Sequence, residues 1–111
     1  MAYDEAVADR ARAMLALRDS LTERKMFGGI AWMIGGNMAC GVIGDEVIVR
    51  VAKDDYDSAL ADPQAREFDF TGRPMRGFVC VSPTELSDEQ LASWIDAGCD
   101  YAASLPKKSR N

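Results

Sequence analysis

With 111 residues, the chain is long enough to bury a core and too short for two domains. Its 48% hydrophobic and 28% charged residues are the balance of a globular protein, which excludes a disordered or fibrous chain. The net charge of −5, from 18 acidic and 13 basic residues, opposes a phosphate backbone except where basic residues cluster locally.

The absence of histidine removes the Ser-His-Asp and Cys-His nucleophile pairs, a histidine general base and histidine metal ligands. Zinc would need cysteine and carboxylate alone, and no Cys-x-x-Cys spacing exists. The three cysteines, Cys40, Cys80 and Cys99, are odd in number and far apart in sequence. That argues against a disulfide framework and leaves each as a small buried hydrophobe in a reducing compartment. No apolar run approaches the roughly 20 residues of a membrane span, and the start of the chain lacks a basic region followed by an apolar one. A cytoplasmic location is therefore expected.

Residues 3–18 are predicted to form an amphipathic helix, with Val7, Ala11, Met14 and Leu15 at three- and four-residue spacing and Arg10, Arg12 and Arg18 at polar positions. Asp4 and Glu5 suit the positive end of its dipole, and Asp19-Ser20 lets the chain leave it. Short β-rich runs separated by glycine turns then signal an antiparallel meander. Its predicted strands are 30–34, 38–43 and 46–51, joined by Gly35-Gly36-Asn37 and Gly44-Asp45, residues that tolerate positive φ. Asp54-Asp55 offers a cap to a short helix that Asp62-Pro63 ends. Residues 68–76 are dense in glycine, proline and charge and read as a loop, followed by a strand over 77–81. Ser87-x-x-Gln90 is a capping box that opens a last helix carrying Leu91, Trp94, Ile95, Ala102 and Leu105, stopped by Pro106. Gly98 inside it weakens the helix by roughly 1 kcal/mol relative to alanine unless close packing offsets the cost. Residues 107–111 read as a flexible tail.

Three segments together carry a resemblance: Lys25-Met26-Phe27-Gly28-Gly29, the glycine-rich 36–42, and 68–77 with the sequence Phe-Asp-Phe-Thr-Gly-Arg-Pro-Met-Arg-Gly. With these the chain resembles the TfoX N-terminal domain family over residues 3–106, as a stand-alone single-domain member. The resemblance implies an α+β fold, a two-layer sandwich in which N-terminal, short middle and C-terminal helices pack on an antiparallel sheet, similar to YjbR-like domains. Longer members of the family carry a second, helix-hairpin-like domain and act as regulators of natural competence genes. The family brings no catalytic residue to carry over.

Each candidate site has a simpler reading beside it. Gly28-Gly29 lacks the Gly-x-Gly-x-x-Gly and P-loop context, so a turn or bulge is the simpler account and no nucleotide cofactor is assigned. Asp54, Asp55 and Asp57 lack a calcium-loop pattern and suit a solvated helix start. Met26, Met33, Met38 and Met75 either line a pliable binding surface or fill the core. Arg73 and Arg76 flank Pro74-Met75 and leave two accounts open. They are a preorganised contact to carboxylate or phosphate, or they close internal salt bridges to acids such as Asp69 or Glu23.

The expected function is a non-enzymatic regulatory or protein-interaction domain, assembled as a homodimer, with Lys25, Phe70, Arg73, Met75 and Arg76 as the interaction residues. No catalytic residue, cofactor or metal is assigned. The alternative is a small nucleic-acid-binding or nucleotide-responsive regulator that uses Lys25, Arg50, Arg73 and Arg76 as a basic patch, against which the acidic balance counts. The homodimer rests on the strands: Val47, Val49 and Val51 point one way and Ile48 the other, while Phe78 and Cys80 oppose Val79 and Val81. Both faces are then apolar, more than three helices cover, and an open sheet face or edge marks an interface.

Overall fold

The computed structural model describes residues 3–18, 21–26, 28–69, 72 and 75–106. Asp4 starts the first helix, α1 (Glu5–Leu15): its Oδ1 accepts from the Ala6 and Val7 amides at 2.9 and 3.3 Å, which satisfies two of the otherwise unpaired first-turn donors. Val7, Ala8, Ala11 and Leu15 form its buried stripe. The helix stops at Leu15, three residues short of the expected end, and Arg18 instead reaches across to the last helix. The expected exit at Asp19-Ser20 lies outside the described residues.

Six strands follow the helix pattern: β1 (Leu21–Met26), β2 (Gly29–Ile34), β3 (Asn37–Ile43), β4 (Glu46–Arg50), β5 (Ala65–Glu67) and β6 (Phe78–Val81). They form one sheet in the order β1-β2-β3-β4-β6-β5, antiparallel throughout. The two expected hairpins are present. Gly35 and Gly36 turn at φ 60° and 82°, and Gly44 at φ 60°, values that suit the primed turns whose twist matches the flanking strands. Ala39 is an unpaired bulge residue, since Trp32 pairs with Cys40 and Met33 with Met38.

Two strands escaped the sequence reading. The first, β1, is exposed at four of its six positions, three of them charged; as an edge strand it buries one side of its backbone only and needs no apolar alternation. The other, β5, has three residues. The short helix is α2 (Tyr56–Ala61), entered through a 3₁₀ turn at Lys53–Asp55. Asp55 at its N-cap makes no side-chain cap bond, contrary to expectation, because that turn already leads the backbone in with helical dihedrals. The last helix, α3 (Asp88–Ser104), carries the expected capping box in full: Gln90 N donates to Ser87 Oγ at 3.1 Å and Ser87 N to Gln90 Oε1 at 2.9 Å. The expected tail over 107–111 lies outside the described residues.

The main core lies between the helices and one sheet face, where Trp32, Val42, Val47, Val49, Val79 and Val81 meet Leu15, Leu91 and Ile95. Burying each such side chain contributes about 1.5–3 kcal/mol. The strand alternation holds as expected: Ile48, Cys80 and Phe78 belong to a second, smaller cluster on the other face. That face is not left open, however. Phe68 and Met75, from the segment between β5 and β6, pack over it, and Met75 N donates to Phe68 O at 2.8 Å to close the segment on itself. The open apolar face expected from three helices is thus partly covered by the chain's own loop. Among the described residues the one large hydrophobic side chain left mostly exposed is Leu17, at 94%.

Candidate functional site

Two arginines stand at one end of the sheet, each held by aromatic rings. Arg76 precedes β6 by two residues, and its guanidinium lies 4.8 Å from the ring centroid of Tyr56. Tyr56 is placed by the first turn of α2 and is itself buried, so the surface on which Arg76 rests is part of the core. Arg50 ends β4 opposite Phe78 in the β4–β6 register. Its guanidinium lies 5.5 Å from the Phe78 centroid and 5.7 Å from that of Tyr101 on α3. Cation–π contact fixes the plane of a guanidinium while leaving in-plane N–H groups for a carboxylate or phosphate.

The polar partners of the two are few. Among the described residues Arg76 has one ion contact, to Asp57 at 3.9 Å, with both side chains mostly exposed, at 65% and 88%. Such a pair contributes little to folding. Arg50 donates from Nη1 to the Met38 carbonyl at 3.4 Å. The Tyr56 hydroxyl is buried without a hydrogen-bond partner; burial pushes its pKa up, Glu67 adds to the rise, and Arg76 opposes it.

Beside this end, between α3 and α2, runs an open groove of about 320 Å³ whose walls include Arg50, Asp55, Ser58, Asp62, Trp94 and Tyr101. Trp94 is held there by its Nε1–H, which donates to Gln64 Oε1 at 2.8 Å. The groove therefore offers two aromatic walls, one guanidinium and two carboxylates.

The structure gathers only part of the expected interaction set. Phe70 and Arg73 lie outside the described residues. Arg76 stands on the surface as expected. Met75 is turned inward onto Ile48, Phe68 and Cys80 and serves packing. Lys25 is exposed on β1, four strands from β6 in the sheet order, which is roughly 19 Å at the usual strand spacing. It also sits at the other end of the ladder, on the rung of Ile30, Val42, Val47 and Val81, whereas Arg50 shares a rung with Phe78. Lys25 and the arginines do not make one patch. Glu23, considered above as an internal partner for Arg73 and Arg76, instead accepts from Arg12 at 2.8 and 3.2 Å and from Trp32 Nε1 at 2.9 Å.

Other candidates settle as structure. Gly29 is a packing position, since a Cβ there would stand 2.2 Å from the Val42 carbonyl oxygen. Among the described residues no group of three or more Asp, Glu or Cys side chains is placed to hold a metal, and no helix is long and apolar enough to cross a membrane. Sequence reasoning missed Tyr56 and Tyr101 as the rings beneath the arginines. Each lies on a helix, and nothing in a helical pattern says which cation will lie on a ring.

Residues 13–102 match the family model of the TfoX N-terminal domain. No curated protein matches the chain, and no solved structure does.

Proposed function

The chain belongs to the TfoX N-terminal domain family, and from that premise we propose that it is a non-enzymatic regulatory or protein-interaction domain of the cytosol. It works as a homodimer and binds an acidic segment of a partner protein through the surface around Arg76. The observation that carries this reading is the placement of Arg76, stacked on a buried ring yet 65% exposed, with a long ion contact to Asp57. A cation so held loses little ordering entropy on binding, while its contribution to folding is small. Arg73, two residues from Met75 and preceding Pro74, joins it in the contact. The nucleic-acid alternative loses Lys25 from its basic patch, since Lys25 stands apart from Arg50 and Arg76.

The test is the double variant Arg73→Ala with Arg76→Ala. It is expected to melt within a degree or two of the parent protein, since exposed ion pairs contribute about 0–1 kcal/mol, and to lose a partner that the parent protein captures in a pull-down from cell extract. A variant that unfolds markedly earlier and still captures the partner refutes the assignment. A salt-sensitive gel shift at low micromolar protein would move the reading to nucleic acid.

A further inference from the structure

Beneath the helices lies a pair of thiols that the arginine surface does not involve. Cys40 stands on β3 across from Trp32 and Val49, on the face that meets α3, and Cys99 stands on the buried side of α3. Both are in the main core and fully buried. They meet because α3 comes unusually near the sheet one residue earlier: a Cβ on Gly98 would lie 2.5 Å from the Ala39 carbonyl oxygen and 3.1 Å from Val49 Cγ1. Ala39 is the neighbour of Cys40, as Gly98 is of Cys99. This closest approach of helix to strand brings Cys40 and Cys99 into the same part of the core, near enough for each to perturb the other's ionisation.

The field of one cation reaches both of them. Arg18, beyond the end of α1, donates from Nη2 to Asp100 Oδ1 at 2.9 Å and to Asp96 Oδ1 at 3.5 Å. These acids are the next residue after Cys99 and the one a helical turn before it, so the guanidinium spans the stretch of α3 that carries Cys99. Arg18 and Asp96 also form part of the wall of an open groove of about 620 Å³ between α1 and α3.

We propose that Cys40 and Cys99 form a reversible, peroxide-sensitive dithiol, in which Cys99 is oxidised first and Cys40 resolves it to an intramolecular disulfide. The asymmetry follows from the surroundings. The interaction with the Cys40 thiol, followed by the field of Arg18, holds the Cys99 thiol below its usual range against the opposing effects of burial and of Asp96 and Asp100. The same interaction, together with burial, holds Cys40 well above. The thiolate is the nucleophile in such chemistry, and a neighbouring resolving cysteine limits over-oxidation. Opening of the Arg18 contacts admits a small hydroperoxide from the α1–α3 groove. The Cys99 sulfur attacks the peroxide oxygen and the O–O bond breaks. The alkoxide, or hydroxide from hydrogen peroxide, leaves with a proton as alcohol or water, and Cys99 becomes a sulfenic acid. The Cys40 sulfur then attacks the Cys99 sulfur, the S–O bond breaks, and the departing hydroxide takes the Cys40 proton as water. Two thiols and one hydroperoxide give one disulfide, one water and one alcohol, or two waters from hydrogen peroxide. In a reducing compartment a thiol reductant reverses the bond by exchange, which suits a sensor more than a structural bridge.

The experiment treats the folded protein with a small excess of hydrogen peroxide, blocks remaining thiols with an alkylating agent after denaturation, and maps cysteine peptides by mass spectrometry. The expected result is a Cys40–Cys99 linked peptide pair, a loss of two hydrogens in mass, a monomer on a non-reducing gel, Cys80 alkylated, and full reversal by dithiothreitol. Cys40→Ser, which lacks the resolving thiol, is expected to trap dimedone at position 99, and Cys99→Ser to trap little at position 40. Because mapping the unaltered protein needs no variant, a misfolded serine variant leaves the test intact. Alkylation of Cys40 and Cys99 as complete as that of Cys80 overturns the proposal, as does an intermolecular link or irreversible oxidation of Cys99 with no link to Cys40. Dimedone trapped mainly at Cys40 overturns the assigned order.

Discussion

Replacing Gly98 by alanine sets two effects of opposite sign against each other at the tightest contact between helix and sheet. In an isolated helix the change favours alanine by about 1 kcal/mol. In this fold the new methyl carbon would stand 2.5 Å from the Ala39 carbonyl oxygen, 3.1 Å from Val49 Cγ1 and 3.4 Å from the Arg50 carbonyl oxygen. Two of these neighbours are strand backbone, which cannot swing aside as a side chain can, so α3 must lift or β3 must bend. Overpacking of this kind costs about 1–3 kcal/mol, and a backbone obstacle places the cost toward the upper part of that range. The balance is a loss of about 1–2 kcal/mol, which lowers the melting temperature by roughly 5–15 °C in a domain of this size. Thermal melting and urea titration of Gly98→Ala against the parent protein measure it. A variant as stable as the parent, or more so, would show that α3 stands off the sheet and that the glycine is merely tolerated.

Two further outcomes follow from the same structure. The Glu23 carboxyl is held below its ordinary value chiefly by its hydrogen bonds from Arg12 and then by that from Trp32, against the opposing effect of burial. The folded state therefore binds fewer protons there than the unfolded chain. Its stabilisation is present above the unfolded carboxylate value of about 4.3 and is lost as pH falls through the lower, folded value. Glu23→Gln is expected to lower the urea midpoint at neutral pH and to flatten its decline in acid, and an acid decline as steep as the parent's refutes the assignment. The proposed homodimer is expected to give twice the chain mass by light scattering at tens of micromolar. The free edge of β1 is the expected pairing surface, and a monomer mass refutes the dimer.

The local elements were written in the sequence because their causes are local. Asp4 caps its own helix, Ser87 and Gln90 cap each other within one turn, and Gly35, Gly36 and Gly44 take turns that few other residues take. The alternation of Val47, Ile48 and Val49 assigned two faces to the sheet before any packing was known, since side chains on a strand alternate whatever covers them. The TfoX N-terminal resemblance was also carried by short segments. What no local pattern contained was pairing across distance. The edge strand β1 carries no apolar period because one of its sides meets solvent, and β5 is too short to show one. That Phe68 and Met75 pack over the second face, that Tyr56 lies beneath Arg76, and that Lys25 stands four strands from β6 were decided by sheet order. Gly98 shows the division most plainly. In sequence it was a flaw in a helix, and only the approach of α3 to Ala39 explains it and brings Cys99 beside Cys40, because contact between residues so far apart in the chain is set by how whole elements pack.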